Sequence, residues 1–169
     1  MSSRNLFIIH LLLAIVCTCL GAQDSLSGKI NPIAKPLRIS MIGDDESLQS
    51  SLNIECSDIL INIKDLDISQ AYTVWLSMLS DLEKYADRMS FDIKGLRIWI
   101  NVYWEEDGSI RHINFYPKPN CKNIDFEQFS YFLNGFANDY ALAIKHSSCF
   151  SHFGSASFPT FYDQLLKKE

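Results

Sequence analysis

"GLRIWINVYWEEDGSIRHINFY", residues 95–116, is the stretch that decides the fold. Apolar and polar residues alternate on both sides of Asp107-Gly108. A period of two is the signature of a strand with two unlike faces. Asp-Gly between two such runs is a hairpin signal, because both central positions of a type I′ turn need positive φ. A two-residue loop also fixes the register. It pairs Glu106 with Ser109, Trp104 with Arg111, Val102 with Ile113 and Ile100 with Phe115. Between them it pairs Tyr103 with His112, Asn101 with Asn114, Trp99 with Tyr116 and Arg97 with Lys118. Successive side chains point to opposite faces. Ile98, Ile100, Val102, Ile113 and Phe115 are therefore expected in the core, with Trp104 on the same side near the tip. Trp99, Tyr103, His112 and Tyr116 share the other face with Arg97, Asn101 and Asn114. Aromatics with polar handles are enriched at binding surfaces, so these four are the candidate binding residues. The competing expectation is that residues 37–64, or a neighbouring subunit, cover this face.

Outward from the hairpin the period changes. Ala71, Val74, Trp75, Met78, Leu79, Leu82, Tyr85, Ala86 and Met89 recur at spacings of three and four, which predicts an amphipathic helix over 68–89. Asp67 is its expected N-cap and Gln70 the partner in a capping box. A second helix is expected from Asp125, with Gln128 as box partner and a stripe of Phe126, Phe129, Phe132, Leu133, Phe136, Tyr140, Ala143 and Ile144. "LRISMI", 37–42, reads as an edge strand and "GDDESLQSS", 43–51, as a polar loop. "LNIECSDILINIKDLD", 52–67, alternates like a strand whose phase slips at Ser57-Asp58, the mark of a bulge or tight turn. "HSSCFSHFGSAS", 146–157, reads as a loop. "FPTFYDQLL", 158–166, reads as a closing strand that Pro159 confines to an edge. Strands, helix, hairpin, helix and strand make an α+β fold, a small antiparallel sheet with two helices on one face.

The first 23 of the 169 residues stand apart. Arg4 precedes an apolar run, Leu6 to Leu20, and "LGAQD" follows, which reads as a signal peptide cleaved near Gly21–Gln23. The alternatives are an uncleaved anchor, for which the run is short, and a lipoprotein signal at Cys17 or Cys19. Residues 24–36 read as a linker and 37–169 as one domain. Export, to a periplasm or beyond, is the expected localisation, and membrane contact is expected only through an uncleaved signal segment. Removing Arg4 takes the formal net charge from −5 to −6. An acidic chain without a basic cluster lacks the electrostatic footprint of a nucleic-acid binder.

Cleavage would leave three of the five cysteines, Cys56, Cys121 and Cys149. Export permits disulfides. An odd number allows one internal bridge at most, and Cys121–Cys149 is the preferred pair because it flanks the second helix. Three thiols without a bridge is the alternative.

"LSDLEKYADRMSFDIKGLRIWINVYWEEDGSIRHINFYPKPNCKNIDFEQFSYFLNGFAND" resembles the C-terminal domain of the TonB energy-transducer family. The resemblance covers about 90 residues, 75–165. It rests on Gly95, the strand 96–104, Asp107-Gly108, the strand 109–116, the helix from about Asp125 and the late Pro159. It implies the order helix, hairpin, helix, strand. The chain departs from that family in lacking a Pro-rich arm, in its cleavable leader and in the strand-like residues 37–64. Those departures point to an exported relative of the fold and not to an energy transducer.

Little in the sequence points to catalysis. His146, Cys149 and His152 in "HSSCFSH" are of metal-ligating type, and Cys149 with a His is the raw material of a thiol nucleophile. Their spacing matches no standard zinc pair. Glu105, Glu106 and Asp107 sit at a turn tip, whereas acid–base carboxyls work in clefts. No phosphate loop, HExxH, GxSxG or CxxC motif is present. The expectation is a binding or scaffolding domain of the cell envelope, with no cofactor and a protein or peptide partner. The alternative is a small metal or thiol enzyme centred on His146, Cys149 and His152.

Overall fold

Three helices and a five-stranded mixed sheet form the domain in this computed structural model, which describes residues 38–63, 66–162 and 164. These belong to a unit that starts at Pro36; the expected signal segment, 1–23, and the expected linker, 24–36, lie outside the described residues. In chain order the elements are β1 (Ile39–Met41), α1 (Glu46–Glu55), β2 (Asp58–Ile59), α2 (Ile68–Met89), β3 (Arg97–Trp104), β4 (Ile110–Pro117), α3 (Phe126–Asp139) and β5 (Phe150–Ser157). The strands lie side by side as β1-β4-β3-β5-β2. β3 runs antiparallel to β4 and β5, but β1 pairs parallel with β4 and β2 parallel with β5. The α+β class is as expected, while the sheet is mixed and not antiparallel throughout.

The hairpin keeps the expected faces by an unexpected route. The loop has three residues, Glu106, Asp107 and Gly108. Gly108 N–H donates to Glu105 O at 2.9 Å and Glu105 N–H to Ser109 O at 2.8 Å. Only Gly108 has positive φ, at 85°, so this is a type I turn closed by a left-handed glycine, the commonest three-residue loop. That shifts the register by one, pairing Trp104 with Ile110. An extra residue in β4, Arg111, restores it: Tyr103 faces His112 and each pair down to Trp99–Tyr116 is as expected. A bulge costs one ladder position and lets two successive side chains escape strict alternation. Ile110 joins the core while Arg111 turns toward α1.

Both long helices cover one face. Ile100 is flanked in the sheet by Phe115 and Gly154. The α3 residue Phe129 meets Phe115 edge-on at 5.0 Å. A Cβ on Gly154 would lie 2.8 Å from the α2 ring of Trp75, so only glycine lets the helix sit so close. The capping box of α2 forms as the sequence predicts: Gln70 N–H donates to Asp67 Oδ1 at 2.7 Å, and Asp67 N–H to Gln70 Oε1 at 2.9 Å.

Four expectations change. Residues 46–55 are helical, capped by Asp45, whose Oδ1 accepts from Leu48 N–H at 2.9 Å. Leu52 and Cys56 are i,i+4 partners on a helix as well as strand parity mates; the exposed Ile54 between them resolves the ambiguity. The strand expected over 52–67 shrinks to β2. α3 ends at Asp139 instead of near Lys145, because 141–146 pairs with the hairpin tip. There Leu142 N–H donates to Gly108 O at 2.8 Å and His146 N–H to Glu106 O at 3.0 Å. A Cβ on Gly108 would sit 2.2 Å from Leu142 O, which explains the glycine twice over. Finally, the closing strand is 150–157, read from sequence as a loop, and Pro159 follows it.

Candidate functional site

The face of the sheet opposite α2 and α3 divides into two halves. Near the hairpin tip α1 lies across it. Leu52, Cys56 and Tyr103 form a small second cluster, with Cys149 packed against it. Tyr103 is fully buried; its hydroxyl donates to Asn53 Oδ1 at 2.8 Å and accepts from Asn101 Nδ2 at 2.7 Å. Burial pushes the Tyr103 hydroxyl pKa up. His112 is buried beside it. Ser40 Oγ donates to Asn114 Oδ1 at 2.7 Å, so its 2.9 Å contact with His112 Nε2 makes that nitrogen the donor. Burial pulls the His112 pKa below the usual imidazole range, against an opposing hydrogen bond to Asn114 and the charge of Asp45.

The far half is open. Trp99 is 40% exposed, Tyr116 49% and Phe153 57%. Trp99 and Tyr116 are register partners, and the Phe153 ring stacks beside Trp99 at 5.8 Å. Lys118 Nζ sits 3.9 Å from the Trp99 ring centroid and donates to Ser155 Oγ at 2.6 Å. Between the halves Asn101 is buried, and its Oδ1 has no hydrogen-bond partner among the described residues. The four candidate residues are thus not one site: Tyr103 is covered by Leu52 and Cys56, His112 is buried beside it against Ser40, and Trp99 and Tyr116 are exposed. Phe153 and Lys118 were missed, Phe153 because its strand read as a loop.

Beside the aromatic patch runs an open strand edge. β2 pairs with β5 only at Phe150 and Ser151. Phe158 N–H donates to Leu96 O at 3.0 Å, and the antiparallel ladder alternates from there. Ala156, Gly154 and His152 therefore bond to β3, while the backbone groups of Phe153, Ser155 and Ser157 point outward. They have no backbone partner among the described residues. The opposite edge is less available: Met41 N–H and C=O, at the end of β1, bond to Asp44 of the following turn.

His146, Cys149 and His152 are not brought together as one centre. Cys149 is bonded to Cys56, with Cα atoms 4.8 Å apart, and Cys121 is the free thiol. This corrects the expected Cys121–Cys149 pair. Cys121 instead faces the start of β3, its Sγ accepting from Arg97 N–H at 3.3 Å. The expected loop at 43–51 and strand at 52–67 hide the true pair, because the helix over 46–55 is what carries Cys56 back over the sheet. His146 Nε2 lies 3.0 Å from Asp58 Oδ2, which also accepts from Ser148 Oγ at 2.8 Å; Ser148 and then His146 hold the Asp58 carboxyl below its usual range. His152 is on the core face, its ring centroid 4.6 Å from that of Trp75, and burial lowers its pKa. No group of three His, Cys, Asp or Glu suited to a metal occurs among the described residues. None of their helices is long and apolar enough to cross a membrane. Comparison with protein-family profiles, curated proteins and solved structures finds no match.

Proposed function

We propose that this is a non-catalytic, exported binding or scaffolding domain of the cell envelope, which takes an extended protein or peptide segment along β5. The observation that carries this is the adjacency of a strand edge without a backbone partner among the described residues, Phe153–Ser157, and an exposed aromatic patch, Trp99, Tyr116 and Phe153. Strand addition draws affinity from main-chain hydrogen bonds and specificity from pockets for alternate side chains. The outward groups of Phe153, Ser155 and Ser157 supply the first, and the rings supply an apolar shelf beside them. The envelope role is suggested by the resemblance to TonB C-terminal domains, which implies the order helix, hairpin, helix, strand; α2, the hairpin, α3 and β5 follow that order, whereas Pro159 follows the last strand and does not precede it. The acidic charge favours a partner segment that is neutral or basic.

The test is a library of extended peptides, scored against three chains. Binders of the unaltered chain are expected to be lost on Trp99→Ala. They are expected to weaken about tenfold or more on Ser155→Pro, which removes an outward N–H while leaving the β3 ladder intact. Binders insensitive to both substitutions would place recognition elsewhere and end this reading.

A further inference from the structure

The Cys56–Cys149 bridge sits in surroundings that a purely structural disulfide does not need. Arg111 Nη1 lies 3.7 Å from Cys149 Sγ and 4.0 Å from Cys56 Sγ. The guanidinium is there because of the β4 bulge, which turns Arg111 to the α1 side, where Glu55 and Glu105 hold it by ion pairs. Bulges commonly re-aim a side chain in this way. A fixed cation beside a sulfur stabilises the thiolate and so makes it a better leaving group. The two sulfurs also differ in access: Cys56 is buried and Cys149 half-buried. Attack therefore has one open end, Cys149, and the leaving sulfur is the buried Cys56, which the guanidinium also faces, at 4.0 Å against 3.7 Å to Cys149.

What the bridge holds is otherwise weakly held. Of the ten residues of α1, Leu52 alone is buried. An isolated helix of that length is unstable in water. Its other ties are one hydrogen bond from Tyr103 to Asn53, one of 3.3 Å from Ser151 Oγ to the carbonyl of its C-cap Cys56, and a partly exposed ion pair from Arg111 to Glu55. β2 follows directly; it pairs with β5 at two positions, and its Asp58 carboxylate, half exposed, accepts from Ser148 and lies 3.0 Å from His146 Nε2.

We infer that Cys56–Cys149 is an exchangeable latch: a dithiol reductant opens it, and α1 and β2 then leave the sheet. The reductant's thiolate attacks Cys149 Sγ, and the S–S pair departs on Cys56 as a thiolate facing Arg111. The reductant's second thiolate attacks its own sulfur in the mixed disulfide and releases Cys149. The protein gains two electrons and, once both thiolates are protonated, two protons; the dithiol becomes a disulfide. Opening uncovers Tyr103 and His112 next to Trp99 and Tyr116, and frees the edge of β5 at Phe150 and Ser151. The exchange chemistry stands alone, whereas its consequence, a longer binding edge, rests on the function proposed above.

The test uses the full chain carrying Cys121→Ser, so that the free thiol cannot scramble the bridge, and needs no ligand. Dithiothreitol is added, and backbone amide exchange and alkylation of Cys56 and Cys149 are followed by mass spectrometry. The latch predicts amide exchange over 46–59 at least about tenfold faster after reduction, with α2 and β3 still protected. The Cys56→Ser/Cys149→Ser double variant should match the reduced state. Arg111→Gln should slow opening by about fivefold or more, and Arg111→Lys should restore it. Losing the Glu55 ion pair alone would loosen α1 and speed opening, so the sign separates chemistry from packing. Unchanged exchange over 46–59, collapse of the whole domain on reduction, or opening as fast in Arg111→Gln would each overturn the latch. Failure of peptide binding would leave these readouts untouched.

Discussion

Tyr103–His112 and Trp99–Tyr116 are equivalent pairs of one hairpin. They share a face and a register and stand four residues apart along each strand. Yet Tyr103 is fully buried and Trp99 is 40% exposed. The strands do not make this difference; α1 does, by crossing one pair and not the other. Hairpin geometry therefore sets which side chains share a face, and an element distant in sequence sets which of them meet solvent. The most direct way to break this comparison is to delete both rings. Tyr103→Ala removes a buried ring that also links Asn53 to Asn101, and it should cost about 3–5 kcal/mol. Trp99→Ala should cost about 1 kcal/mol or less, because most of the loss falls on a half-open ring. Urea unfolding of both variants checks this; equal losses would mean that the far half is covered in solution.

The same contrast shows what the sequence made legible. The hairpin faces, α2 with its capping box and the start of α3 follow from local signals: period, Asp-Gly, Asp67 with Gln70. The misreadings of α1 and β5 lie where two periods agree or where packing decides. Leu52 and Cys56 satisfy both a strand and a helix, and α1 was lost with them. β5 is hidden because its inward positions include His152 and Gly154 in place of aliphatics. Gly154 is small only because Trp75 needs the room, a demand made by a residue 79 positions away. Half of the candidate site was legible, Trp99 and Tyr116. Phe153, Lys118 and the cover over Tyr103 were not, because they depend on β5 and α1.

His112 and His152 carry the comparison into pH dependence. Both are lowered by burial, His112 beside Tyr103 and Ser40 on the α1 side of the sheet and His152 against Trp75 on the core face. A histidine depressed in the folded state takes up its proton more readily when the chain unfolds. Stability is then complete above the unfolded value near pH 6.5 and is lost as pH falls from there toward the folded value, by up to about 1.4 kcal/mol per pH unit for each histidine. The lowered carboxyls, Asp45, Asp58, Asp92 and Asp107, act in a more acidic window. Denaturation midpoints between pH 5 and 7 therefore isolate the histidines, and His152→Phe or His112→Gln should each flatten the curve. Reduction of Cys56–Cys149 should bring the His112 titration, read by NMR, back toward the ordinary range and leave His152 depressed. A common response of both would mean that α1 is not the cover that distinguishes the two halves.

The smallest effect concerns Lys118, which partly screens the exposed half. Its ammonium lies over the Trp99 ring, a contact that contributes about 0.5–1 kcal/mol at an exposed site. Lys118→Met keeps the apolar stem and removes the charge, so stability should fall by no more than that. The informative readout is optical. Trp75 and Trp104 are buried, so Trp99 should dominate collisional quenching by acrylamide. Lys118→Met should raise that quenching because the ammonium no longer shields the ring, and Trp99→Phe should nearly abolish it. Quenching that survives Trp99→Phe would mean that Trp75 or Trp104 is reached from solvent. Quenching unchanged in Lys118→Met would mean that the ring is already free on that side. In that case the patch is open to a partner without displacing its own lysine, and the contrast with Tyr103 would be sharper than the static contacts imply.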